Sequence, residues 1–216
     1  QVLNTYEVDN YPGMPGISGM DLGEAMGAHA AKLGIEPVRE NVLSVEDAGT
    51  EKIIRTKKHE YRAKTVILAC GASHRRLNIP GEEELSGMGV SYCATCDGAF
   101  FKDKTAVVVG GGNVAIDASR VSARNAASSV LQFSLEQEPD MPASVEEIKE
   151  AREDGVTINC GWGPKEILAE NGKVTGIVFK KCLSVINDGK FAPVYDENET
   201  MTVECDRLIF AIGQQS

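Results

Sequence analysis

The segment that most constrains this chain runs from Thr105 to Phe133, where a β-branched apolar run meets three glycines and then a helix-forming stretch. Thr105-Ala106-Val107-Val108-Val109 reads as a buried strand, Gly110-Gly111-Gly112 as a tight turn, Asn113 to Arg124 as a helix and Ser129 to Phe133 as a second strand. Strand, helix and strand in that order make a βαβ unit. Such alternation calls for a parallel sheet covered by helices, so the expected fold class is α/β.

The glycines are spaced for a ligand. In Gly110-x-Gly112-x-x-Ala115 the first glycine lets the chain turn and the second lets a pyrophosphate approach the backbone. The small third residue, Ala115, lets helix and strand pack closely. Asn113 opens the helix, whose free N–H groups and positive dipole end face the phosphates. A carboxylate near the end of the second strand can accept hydrogen bonds from ribose hydroxyls, and Glu136 stands there. A 2′-phosphate would call for Arg or Lys instead. From Gln132 to Asp154 there are eight acids against two bases, Lys149 and Arg152, so NADH is expected over NADPH, with Arg120 and Arg124 the nearest cations that could reverse this.

The wider composition narrows the partners. The 216 residues carry a formal charge of −10, which argues against a nucleic-acid or anionic-membrane surface because phosphate binding draws on clustered Lys and Arg. No apolar run approaches the roughly 18 to 20 residues that cross a bilayer, and a cytoplasmic location is expected. The chain opens at Gln1 inside a patterned segment and stops just after Leu208-Ile209-Phe210-Ala211-Ile212, so a piece of a longer protein is expected.

Elsewhere, residues 15–34 fit an amphipathic helix closed by Gly34, and short strands are expected at 41–46, 51–56 and 65–69, the last apolar throughout and hence buried on both faces. Pro80 to Gly89 reads as a linker. Ser144 and Glu147 form a capping box for a helix to about Asp154, ended by Gly155. Strands follow at 156–159, 166–169, 174–180 and 183–186, with Asn171-Gly172 as a hairpin turn.

Among six cysteines only Cys93-Ala94-Thr95-Cys96 is closely spaced, and no second pair completes a four-thiolate zinc site, so no metal is expected. Two thiols so spaced can close a small-loop disulfide, and a helix starting there would stabilise the thiolate. Such a pair suits thiol–disulfide exchange, with Asp97 within reach for proton transfer. Two buried, reduced cysteines packing as small hydrophobes are the alternative.

At this point four segments resemble, in order, the low-molecular-weight thioredoxin reductases: QVLNTYEVDNYPG (1–13), VILACGAS (66–73), GVSYCATCDGAFF (89–101) and VVVGGGNVA (107–115). The resemblance implies two dinucleotide-binding (Rossmann-like) domains, with a complete NAD(P) domain at residues 90–210 carrying the CxxC motif. That domain would be inserted into a partial FAD domain at 1–89, to which 211–216 begins the return. It implies a homodimer as the full-length protein. It also implies FAD as cofactor beside NADH or NADPH, with hydride passing through FAD to the Cys93–Cys96 disulfide and on to a thioredoxin-like protein.

Carried over by position, Cys96 is the cysteine nearer the flavin, Cys93 the interchange thiol and Asp97 the acid; Asn10 and Val42 fall on flavin contacts, and Gly71 and Ala72 on the turn beside the flavin, with Cys70 in place of the usual Thr. The family's paired arginines for the 2′-phosphate fall on Leu135 and Glu136. From Asn113 to Asp117 and at Asp140 to Ser144 the chain is more similar to the small subunit of glutamate synthase. An electron-transfer flavoprotein of that type is therefore an alternative, and a nucleotide-binding fragment without turnover is another. The segments expected to face the FAD phosphates are missing, so the chain is expected to be isolated colourless.

Overall fold

The computed structural model describes residues 2–215; Gln1 and Ser216, where the first matching segment opens and the expected return ends, lie outside the described residues. The chain divides into two compact units, 1–71 and 72–216. The division falls well before the 89/90 boundary expected from the change in sequence rhythm, because residues 72–89 pack into the second unit. Leu85 is buried in that unit's core, and Leu77 and Ile79 pack against it.

The second unit holds a five-stranded parallel sheet ordered β5-β12-β6-β7-β8. Its strands are β5 (Val90–Ser91), β6 (Thr105–Val109), β7 (Ser129–Ser134), β8 (Thr157–Cys160) and β12 (Arg207–Phe210). Helix α2 (Asn113–Arg124) makes the crossover from β6 to β7, and α3 (Val145–Glu153) that from β7 to β8. Side chains alternate along β6, so one face packs on the helices and the other on a second sheet. Val108 joins Ala115, Ile116, Ile148 and Ala151 in one core, while Val107 and Val109 join Phe133, Ile177 and Phe179 in the other. Each face supplies the apolar burial that a two-sided parallel sheet requires.

That second sheet is antiparallel: β9 (Trp162–Glu170), β10 (Lys173–Asn187) and β11 (Lys190–Glu204). Asn171 and Gly172 take φ values of +50° and +73° and form the expected hairpin turn between β9 and β10. The strands expected at 174–180 and 183–186 merge into one, because β10 passes its irregularities at Lys180/Lys181 and beyond without leaving the ladder. Its partner β11, polar and mostly exposed, lacks the apolar alternation by which strands are recognised. A short pair, β4 (Ser73–His74) with β13 (Gln214–Gln215), closes the unit.

The first unit contains α1 (Gly19–Lys32), capped by Ser18, and an antiparallel meander β1 (Val42–Asp47), β2 (Lys52–Thr56) and β3 (Glu60–Ala63). The strand expected at 65–69 is absent. That stretch pairs with nothing among the described residues, and Ile67 and Leu68 are 90% and 72% exposed. A strand apolar on both faces exists only between two covering layers, which the described part of this unit does not supply.

The expected linker also changes character. Glu82, within the stretch read as a linker, is 2% exposed.

Candidate functional site

The sheet order places a topological switch point between β6 and β12, and in open parallel sheets ligands bind outside the carboxyl ends of the strands at such a point. A cavity of about 590 Å³ lies there, lined by Gly110, Gly111, Gly112, Asn113 and Glu136 on one side and by Ala211 to Gly213 after β12 on another.

Each glycine of the loop has its own reason. Gly110 adopts φ +147°, and a Cβ there would stand 2.4 Å from the Ala211 carbonyl oxygen and 3.0 Å from the Ala115 Cβ. The strand end and helix therefore meet with no room for a side chain, and Ala115, fully buried, serves that close packing. At Gly112 the opposite holds: φ is −94°, and a Cβ would meet nothing within 4 Å. Gly112 caps α2 without a side-chain hydrogen bond, and the N–H groups of Gly112, Asn113 and Val114 have no partner among the described residues. Open space in front of unpaired amides at a helix N-terminus fits an anionic pyrophosphate.

Sequence reasoning missed what holds this loop in place. Gln132, fully buried in β7, donates from Nε2 to the Gly110 carbonyl at 3.1 Å, and its Oε1 lies 2.8 Å from the Ser119 hydroxyl of α2. One amide thus joins the second strand, the loop and the helix. A lone glutamine in the run Val130-Leu131-Gln132-Phe133 was the available signal.

Asn113 braces the other side, its Oδ1 accepting the Ser144 N–H at 3.0 Å while the Ala143 N–H donates to Gly111. This also halves the expected capping box. Ser144 Oγ accepts the Glu147 N–H at 3.3 Å, but the Ser144 N–H is already taken, and Glu147 Oε2 is buried with no partner among the described residues.

Glu136 reaches the loop: a Cβ on Gly111 would lie 2.5 Å from Glu136 Oε2. Its backbone carbonyl is fixed by the Ser134 hydroxyl at 2.9 Å and the Gly161 N–H at 3.0 Å. The candidate rival cations are engaged elsewhere. Arg120 is bound to Glu150 and Asp154, Arg124 contacts Asp154, and Arg152 makes a two-pronged pair with Glu138. These pairs hold the carboxyls of Asp154 and Glu138 below the ordinary carboxylate range. The cations that line the cavity are Arg75 and Lys180.

The same unit carries the cysteines. Cys93 and Cys96 form a disulfide, with Cα atoms 5.3 Å apart. The helix expected to begin there is only a turn followed by a three-residue 3₁₀ segment, Gly98–Phe100, where Gly98 sits so close that a Cβ would meet Asn125 Nδ2 at 3.0 Å. A helix dipole is therefore not what tunes these sulfurs. Local amides are present instead: the Cys96 N–H points to Cys93 Sγ at 3.2 Å, and Ser91 Oγ accepts the Cys93 N–H. Cys93 is half-buried and Cys96 exposed. Asp97 lines a separate cavity of about 530 Å³, and neither cysteine lines either cavity.

Immediately before Cys93, the Tyr92 hydroxyl donates to the buried Glu82 carboxylate, which also accepts the N–H groups of Leu77 and Asn78. Burial, reinforced by Glu82, raises the Tyr92 hydroxyl above the usual phenol range.

Asn10, Val42, Gly71 and Ala72 are the positions on which the resemblance puts flavin contacts. Asn10 is exposed, Val42 is 56% exposed, and Asn10, Val42, Gly71 and Ala72 line neither cavity. No described helix is long and apolar enough to cross a membrane.

Residues 22–216 match the family model described as pyridine nucleotide-disulphide oxidoreductase. Among curated relatives, thioredoxin reductase of Bacillus subtilis is 39% identical over 180 residues, 82% of this chain and 55% of that protein. The thioredoxin reductase of Listeria monocytogenes is 47% identical over 117 residues, 54% of this chain and 37% of that protein. Among solved structures, the thioredoxin reductase of Giardia duodenalis matches with a TM-score of 0.68 at 29% identity, and that of Lactococcus lactis with 0.65 at 32%. Each match covers 99% of this chain, and 65% and 66% of those chains respectively. The chain thus spans about half the length of the B. subtilis relative.

Proposed function

Because the chain belongs to the pyridine nucleotide-disulphide oxidoreductase family, we propose that it is the nucleotide-binding and disulfide-bearing part of a thioredoxin reductase-like enzyme. The observation that carries this reading is the presence, on one compact unit, of both the Gly110 loop with its open phosphate space and the closed Cys93–Cys96 disulfide.

In this reading the dinucleotide lays its pyrophosphate on the N–H groups of Gly112, Asn113 and Val114, and Glu136 accepts from a ribose hydroxyl at the adenosine end. That Arg120, Arg124 and Arg152 are each held by a carboxylate supports NADH over NADPH. Flavin supplies two-electron transfer in the relatives' chemistry as the resemblance implies it, and the residues described in the first unit give no basis for placing it.

The thiol chemistry can be followed on this chain alone. In the reduced dithiol, the Cys96 N–H favours the Cys93 thiolate, which attacks one sulfur of a partner's disulfide and expels the other as thiolate. Cys96, as thiolate, then attacks Cys93 Sγ, releasing the partner as a dithiol and restoring the Cys93–Cys96 bond. Asp97, next in the chain, is the acid that the resemblance implies for exchanging the proton.

The test is a trap. Cys96→Ser, incubated with a thioredoxin whose own resolving cysteine is serine and whose remaining thiol is activated, should accumulate a mixed disulfide through Cys93, identified by peptide mass. Equal trapping by Cys93→Ser would reassign the interchange thiol to Cys96, and no adduct from either would overturn the reading.

A further inference from the structure

The antiparallel sheet brings a second charged pair to the adenosine end of the cavity. In the β10–β11 ladder Lys180 pairs with Thr200, whereas Lys181 pairs with Asp196, so Glu197, Asn198 and Glu199 bulge from β11 with no residue opposite them. The Asn198 N–H donates to Asp196 Oδ1 at 2.9 Å and fixes the start of the bulge. The detour turns Glu197 back onto β10, where its Oε1 lies 2.7 Å from Lys180 Nζ.

Lys180 belongs to the cavity that holds Leu135 and Glu136. Its ammonium stands 4.2 Å from the centre of the Tyr195 ring, which is another wall of the same cavity. Gly163 admits that ring, since a Cβ there would lie 2.4 Å from Tyr195 Cε1 and 2.9 Å from Leu135 Cδ2. Tyr195 and Leu135 thus both close on Gly163, which puts Tyr195 on the Leu135 side of the cavity. Lys180 is 20% exposed and Glu197 60%, so the acid reaches from the solvent side onto a largely covered cation.

We propose that Glu197 is a specificity-determining residue that holds Lys180 away from service as a 2′-phosphate ligand. This rests on the reading that the Gly110 cavity takes a nicotinamide dinucleotide. A 2′-phosphate carries between one and two negative charges near neutral pH and needs a cation with free N–H donors. At this site it meets Glu136 and a Lys180 held by Glu197, while Arg75, the other cation of the cavity, donates from Nε to the Gln214 carbonyl oxygen at 3.1 Å. Selectivity against NADP(H) thus comes from a withheld attraction added to a repulsion, the two means by which a site rejects a near-identical ligand. Ionic pairing across a bulge is also separable from the fold, because the Glu197 side chain is exposed and pairs only with side-chain ammoniums, Lys180 at 2.7 Å and Lys165 at 3.9 Å.

The test is calorimetric titration of the full chain with NAD⁺ and NADP⁺, with circular dichroism to verify each fold. Wild type should bind NAD⁺ and bind NADP⁺ at least about tenfold more weakly, the scale of one charge-assisted hydrogen bond. Glu197→Gln should tighten NADP⁺ by about tenfold while moving NAD⁺ by less than about twofold. Lys180→Met added to Glu197→Gln should erase that gain. If NAD⁺ binds and Glu197→Gln leaves NADP⁺ affinity unchanged, the role of Glu197 is overturned while the dinucleotide reading stands. If folded wild type binds neither nucleotide, the underlying reading fails and this proposal fails with it.

Discussion

The hydroxyl of Tyr92 donates to Oε1 of Glu82 across 2.7 Å, one residue before the Cys93–Cys96 disulfide. The same carboxylate accepts two backbone N–H groups, from Leu77 and Asn78, so a single buried acid ties residues 77–82 to the strand that leads into the redox loop. Removing the acid strands three donors, whereas removing the hydroxyl leaves the acid with two partners. Glu82→Ala should therefore cost roughly 3 kcal/mol and Tyr92→Phe roughly 1 kcal/mol, read as shifts in urea unfolding. Equal costs would show that Glu82 is not the hub.

The six cysteines should differ sharply in reactivity. Cys205 is buried with its thiol pushed up to about 12, and burial raises Cys182 as well, whereas Cys70 is exposed. Since the thiolate is the reactive form, an alkylating reagent should mark Cys70 in the oxidised protein and add Cys93 and Cys96 after mild reduction. Cys182 and Cys205 should be marked only after unfolding. Peptide mass mapping reads the pattern, and early labelling of Cys205 would contradict the packing around it.

Asp154 links α3 to α2 through Arg120 and Arg124, and its carboxyl is held below the ordinary range chiefly by the Arg120 hydrogen bond. A carboxyl depressed in the folded state adds stability that is present above its unfolded pKa, near 4, and lost as pH falls through the folded value. Asp154→Asn should lower the urea midpoint at pH 7, and the gap from wild type should close below about pH 4. A gap that persists in acid would mean that packing, not charge, is what the substitution disturbs.

Flavin uptake is a separate matter from dinucleotide binding. Val42 and Leu68 lie open in the first unit, and Asn10 and Gly71 line neither of the two cavities described above. The chain should therefore be isolated colourless and remain so after dialysis against FAD. A flavin absorbance band near one equivalent would show that the first unit assembles a site its described residues do not display.

Legibility followed the source of each element's stability. The run from Thr105 to Phe133 was readable because every level agreed: buried β-branched residues, a glycine turn and a helix of matching period. Residues 65–69 failed because their apolar pattern predicts a strand only where layers exist to cover it. Strand β11 was missed because it is held by its ladder with β10 and not by an apolar face. In the candidate site, the glycines and Glu136 were recognisable by spacing and Gln132 was marked only as a lone glutamine in an apolar strand, but Lys180 and Tyr195 arrive from strands far along the chain, and no local pattern marks them. The linker reading of 80–89 missed Glu82 as a hub because its three donors, Leu77, Asn78 and Tyr92, carry no local pattern that marks them.

The central claim is that the space before Gly112 is reserved for a pyrophosphate, and Gly112→Ala tests it most directly. At φ −94° with nothing within 4 Å, an added methyl meets no protein atom, so stability should change by no more than about 1 kcal/mol. Calorimetric titration with NAD⁺ should then show wild-type binding and a loss of at least about tenfold in the variant, because the methyl occupies ligand space. Equal NAD⁺ affinity in the two proteins would contradict the account.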